Sequence, residues 1–73
     1  MVRLIGRRVQ MVSGAMFPIE EGVVYADKPE SVWVRFEDGS KQFFAKWRLL
    51  CNERSEIDVI NAPIGVYLIQ EAV

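Results

Sequence analysis

Asp38-Gly39 sits at the centre of SVWVRFEDGSKQFFAKW, residues 31–47, and constrains the fold more than any other feature of the chain. An Asp-Gly pair favours a two-residue type I′ turn, because both central residues then need positive φ and glycine takes it freely. The flanks are rich in Val, Phe and Trp, which suit a pleated surface. The stretch therefore predicts a β-hairpin. With a two-residue loop, Glu37 faces Ser40 and the register follows. Val34 then lies opposite Phe43, Val32 opposite Ala45, and Phe36 shares their side with Lys41. This side is apolar and reads as core. The other side carries Trp33 opposite Phe44, Arg35 opposite Gln42, and Ser31 opposite Lys46. A slip of one residue would exchange the two sides, so every statement about faces depends on the turn.

The remaining strands are shorter. Arg8–Val12 alternates, with Val9 and Met11 on one side and Arg8, Gln10 and Val12 on the other. Ser13-Gly14 ends it. Residues 15–21 form a connecting loop with an apolar tip of Met16, Phe17 and Ile19 around Pro18. That tip either folds over one end of the domain or docks a partner. Gly22–Ala26 is a second strand, and Asp27–Glu30 a turn in which Asp and Pro take their usual places. After the hairpin, Trp47–Leu50 reads as one short helical turn with Trp47 and Leu50 on the same side. Glu56–Ile60 alternates like a strand, with Ile57 and Val59 facing one way, and Asn61-Ala62-Pro63 breaks it. Gly65–Gln70 is the last strand. It is apolar on both faces, so it is either central or covered on its outer side. Its place at the end of the sequence points to a subunit contact through Val66, Tyr67, Leu68 and Ile69. No internal repeat or linker interrupts the pattern, and residues 1–73 read as a single domain.

Composition excludes more than it assigns. The chain has 73 residues, 51% of them hydrophobic, with nine Lys and Arg against ten Asp and Glu. A domain this small buries a modest fraction of its surface, and a generous apolar content is consistent with a homo-oligomer. A net charge of -1 gives no global basic field for nucleic acid. There is no histidine and one cysteine, Cys51, so a histidine-dependent nucleophile pair and the usual zinc ligand sets are excluded. A lone cysteine makes no internal disulfide, which fits a reducing compartment. The opening MVRLIGRR lacks the apolar core of a signal peptide, and no apolar run reaches the roughly 18 residues of a membrane span. The expected location is the cytoplasm, away from the membrane. Glu20-Glu21 and Glu37-Asp38 are acidic pairs without further oxygen ligands close by, so no metal and no cofactor is expected.

The candidate site is the face of Trp33, Arg35, Gln42, Phe44 and Lys46. Aromatics interleaved with basic groups stack bases and meet phosphates, or receive a peptide through Trp and Arg contacts. Alternatively Trp33 and Phe44 form a cross-strand pair covered by Gly65–Gln70 or by a second subunit.

Short strands, a long loop, a tight hairpin, a helical turn and a closing strand together suggest an all-β, SH3-like small barrel of five or six antiparallel strands. GRRVQMVSGAMFPIEEGVVYADKPESVWVRF resembles the KOW and Tudor-like branch of SH3-like domains. The resemblance lies in the Val9/Met11 strand, Ser13-Gly14, Gly22-Val23-Val24 and Val32-x-Val34-x-Phe36. It implies a non-enzymatic binding or regulatory module, an adaptor or inhibitor, for a protein or nucleic-acid partner. The small size alone suggests an origin on a phage or plasmid. A second resemblance is to the plasmid-borne type II dihydrofolate reductases, carried by the Val9–Gly14 strand end and by Ser40-Lys41-Gln42-Phe43-Phe44. That family's Val-Gln-Ile-Tyr stretch lines a pore shared by four chains and implies an NADPH-dependent enzyme. Gln42 matches its Gln, whereas Phe43 replaces the Ile, and Phe44 replaces the Tyr and lacks its hydroxyl.

Overall fold

Strand pairing starts where the sequence alternates and stops at its turn residues. The computed structural model describes residues 3–14 and 19–71. The element order is β1 (Arg8–Val12), β2 (Glu20–Asp27), β3 (Ser31–Phe36), β4 (Lys41–Ala45), α1 (Lys46–Cys51), β5 (Glu53–Arg54), α2 (Glu56–Val59) and β6 (Gly65–Ile69). The six strands form one sheet in the order β4-β3-β2-β1-β6-β5, curled into a half-barrel that fits a small all-β barrel. Every pairing is antiparallel except the short parallel one between β5 and β6. The apolar tip of Met16, Phe17 and Pro18 lies outside the described residues. No helix among the described residues is long and apolar enough to cross a membrane.

The hairpin forms, but with three loop residues instead of two. Gly39 has φ +90 and Asp38 has no positive φ. The Gly39 N–H donates to Phe36 O at 2.9 Å, and the Phe36 N–H donates to Ser40 O at 2.9 Å. Asp38 Oδ1 accepts from the Ser40 N–H at 2.9 Å and from its hydroxyl at 2.6 Å. These bonds hold the Asp38 carboxyl below the usual carboxylate range. They also secure a tight turn with a left-handed glycine as its third loop residue, the common three-residue hairpin. The extra loop residue moves the register by one. Val32 now faces Phe44, Trp33 faces Phe43, Val34 faces Gln42, and Arg35 faces Lys41.

A β-carbon on Gly39 would meet nothing within 4 Å, so only its backbone angle resists substitution. Gly39→Val is expected to cost about 1–3 kcal/mol, because a β-branched residue resists positive φ. A thermal melt coinciding with that of the parent would contradict this turn.

The main core gathers Leu4, Val9, Val24, Val32, Val34, Phe36, Leu49 and Leu68, with Met11, Phe44 and Val66 packed against it. A second cluster of Val12, Val59, Tyr67 and Ile69 lies on the opposite side of β6, with Ile19 and Ala62 alongside. This corrects one expectation and decides between the two alternatives of another. Residues 56–59 are a helical turn, not a strand: Ser55 accepts at its hydroxyl from the Asp58 N–H at 3.3 Å, a helix cap. The last strand is central, between β1 and β5. Leu68 enters the main core, while Tyr67 and Ile69 enter the second, and all three are buried within this chain. Its two-sided apolar character is thus satisfied internally and is no argument for a subunit contact.

Candidate functional site

The one-residue change in register decides which side chains share the outer face of β2, β3 and β4. Alternation puts Trp33 and Arg35 on that face of β3, and Lys41, Phe43 and Ala45 on that face of β4. The rings of Trp33 and Phe43 meet at 5.3 Å between centroids with a 45° tilt. Phe43 is 64% exposed. Next to this pair the β2–β3 register shifts between Val24 and Ala26, a bulge that leaves Tyr25 as the extra residue. The exposed Tyr25 ring lies under two cations, the Arg35 guanidinium at 5.2 Å and the Lys41 ammonium at 5.6 Å. Beyond Ala45, the exposed Trp47 and Leu50 of α1 line a shallow hollow with Pro29 and Glu30.

Of the five residues expected to share a face, Trp33 and Arg35 remain together. Phe44 turns inward, packing edge-on against Phe36 at 6.5 Å. Gln42, opposite Val34, also leaves the Trp33 side. Lys46 begins α1 and is held in an ion pair with Asp27. Phe43, Lys41 and Tyr25 take the vacated places. Phe43 and Lys41 were misplaced only through the turn length. Tyr25 depends on a bulge that leaves no pattern in the sequence.

The cations differ in whether they are paired. Arg7 pairs with Glu53 at 2.7 Å and Glu71 at 3.1 Å, and Arg8 pairs with Glu21 and with Glu56 at 2.8 Å. The Arg8 guanidinium, bonded first to Glu56 and then to Glu21, is raised above its ordinary value. By contrast, Arg35, Lys41 and Arg48 make no ion pair among the described residues. Arg7 and Arg8 are therefore neutralised, whereas Arg3, Lys28 and Arg54, like Arg35, Lys41 and Arg48, make no ion pair among the described residues, and three of these six cations lie on β3, β4 and α1. No group of three or more Cys, Asp and Glu among the described residues is arranged to hold a metal ion.

Asp27 is lowered by its bond to Lys46, with a further contribution from the Leu4 N–H at 3.4 Å, and Glu56 is lowered by Arg8. A carboxyl with a depressed folded-state pKa stabilises the fold above its unfolded pKa of about 4. That stabilisation is lost as pH falls through the lower folded value. Asp27→Asn is therefore expected to flatten the acid limb of the stability curve below about pH 4. Urea midpoints across pH 2–6 would check this, and parallel limbs for mutant and parent would contradict it.

No protein-family model, curated protein or solved structure matched the chain.

Proposed function

We propose that this chain is a small non-enzymatic binding module, an adaptor or inhibitor built on an SH3-like barrel. Its working surface is the outer face of Trp33, Phe43, Tyr25, Arg35 and Lys41. The observation that carries this reading is the Trp33–Phe43 pair, with Phe43 largely exposed beside Arg35 and Lys41, which lack carboxylate partners among the described residues. The core is filled without Phe43, so its ring is surplus to internal packing. An exposed aromatic flanked by unpaired cations suits a partner with apolar anchors and acidic groups. The resemblance to KOW and Tudor-like domains supports a binding role.

A photo-crosslinking phenylalanine at position 43, introduced in cells that carry the gene, tests the surface. A defined adduct is expected from position 43 and not from Ile57, which is 78% exposed in α2. Trp33→Ala should weaken binding of the captured partner by about 2 kcal/mol with the circular dichroism spectrum unchanged. Arg35→Ala should act less and in a salt-dependent way. Equal crosslinking from both positions, or unfolding of Trp33→Ala, would overturn the assignment. Oxidation of NADPH in the presence of dihydrofolate would do so in favour of a reductase.

A further inference from the structure

β4 ends the sheet, with β3 on one side and no strand on the other. Its hydrogen-bond phase is fixed at both ends. Phe36 N–H donates to Ser40 O at 2.9 Å, and Lys46 N–H donates to Glu30 O at 3.0 Å. Antiparallel pairing alternates, so the even-numbered residues from Ser40 to Lys46 direct their backbone groups toward β3. Lys41 and Phe43 direct theirs away from the sheet, as Ala45 does its N–H, while the Ala45 carbonyl serves as the N-cap of α1. None of these three donates a backbone hydrogen bond elsewhere among the described residues.

Both sides of this free edge carry recognition surface. Outside it stand Trp33 and Phe43. Inside it a groove of about 250 Å³ separates β4 from β6, lined by Phe44, Arg48, Asn52, Val66 and Tyr67 among others. The edge is flanked by Lys41 on the outer side and Arg48 on the inner, both without a carboxylate partner among the described residues. A sheet edge can take up a further strand, and a lysine on it discourages pairing with a like-charged strand while favouring an acidic one.

We propose that the partner enters as an extended acidic peptide segment that adds to β4 as a seventh strand, bonding to Lys41, Phe43 and Ala45. This deepens the binding-module reading and rests on it. The peptide's alternate side chains would point to the Trp33–Phe43 surface and into the groove beside Phe44, with its carboxylates meeting Lys41 and Arg48. The charge argues against a second copy of this chain, because its own β4 edge would bring like charges together. Nucleic acid has no backbone donors and acceptors spaced to continue a β-ladder, so the free edge favours a peptide.

The test uses a labelled synthetic peptide of about ten residues in which pairs of valine alternate with pairs of glutamate, so that each face of the added strand carries both, long enough to span a strand. Controls are a valine–lysine peptide of equal length and a single-stranded oligothymidylate of matching charge. The glutamate peptide is expected to bind and to slow amide hydrogen exchange at Lys41, Phe43 and Ala45. Ala45→Pro is the decisive variant. Ala45 has φ -62, which proline matches, and its N–H lies on the edge side, so the fold should be retained. Removing that donor should weaken the glutamate peptide by about tenfold, the equivalent of one hydrogen bond. Exchange on the parent protein needs no variant and stands whether or not Ala45→Pro folds.

Failure of the glutamate peptide to bind, or binding without protection of the three amides, overturns strand addition. Equal or tighter binding of the oligothymidylate or the lysine peptide overturns the acidic-peptide assignment. Protection that appears with rising protein concentration alone overturns it in favour of self-pairing. A position-43 crosslink with no edge protection would leave the outer-face reading standing while this one falls. Edge protection without a specific position-43 crosslink would do the reverse.

Discussion

Leu68→Ala should lower the stability of this protein by about 2–5 kcal/mol, the range for truncating a buried leucine whose surroundings relax only partly. Leu68 is 1% exposed, and its strand lies between β1 and β5. The side chain meets the main core, which draws on β1, β2, β3 and α1 as well as β6. The void would therefore open among elements already fixed by strand pairing, which limits their collapse onto it. A chain of 73 residues has about 4–11 kcal/mol of stability in all. The loss would thus consume a large part of it and depress the thermal midpoint by about 8–40 °C, at about 4–8 °C per kcal/mol. The cover over β6 is intramolecular, so the loss should be the same at low and high protein concentration. Denaturant melts at two concentrations check both statements. A loss below about 1 kcal/mol would contradict the central place of this strand.

What the sequence reveals about this fold depends on whether a local pattern determines the answer. Ser31–Phe36 was legible because a strand covered on one side must alternate, and its buried positions do so. Arg8–Val12 was legible from its residue types and from the Ser13-Gly14 break, although Val9, Gln10 and Val12 are all buried and the strand is covered on both sides. The hairpin was legible in place but not in phase. Asp-Gly serves both a two-residue loop with Asp in the left-handed region and a three-residue loop with only Gly there. The bonds that Ser40 donates to Asp38 accompany the second, and a choice of one residue exchanged the sides of Phe43 and Phe44. That is why the candidate surface was half right: Trp33 and Arg35 depend only on β3, whereas Phe44 and Gln42 depended on the turn. For Gly65–Ile69 the composition was read correctly as covered on both faces, but the cover was assigned to another chain. Position in the sequence says nothing about position in the sheet, and here the last strand sits beside the first.

The segment 56–60 is where local pattern misled outright, and it furnishes the largest contrast in expected effect. As a strand, Ile57 and Val59 would face the same way and respond alike to substitution. As the helical turn observed, Val59 is 0% exposed beneath the second cluster, and Ile57 is 78% exposed. Ser55 three residues before Asp58 is a capping signal that could have settled the matter, since its hydroxyl accepts from the Asp58 N–H. Val59→Asp would place a carboxylate among the apolar side chains of Val12, Tyr67 and Ile69, where the Arg54 guanidinium lies over the Tyr67 ring at 5.1 Å and is not hydrogen-bonded into the cluster's interior. An unpaired buried charge costs several kcal/mol, about as much as the whole domain has available. Val59→Asp is therefore expected to leave the chain largely unfolded at 25 °C. Ile57→Asp should change stability by no more than about 0.5 kcal/mol, as exposed substitutions do. Val59→Ala supplies a milder measure if the aspartate variant cannot be recovered, and it should still cost more than Ile57→Ala. Equal losses at 57 and 59 in denaturant melts would restore the strand and remove the helical turn that covers β6.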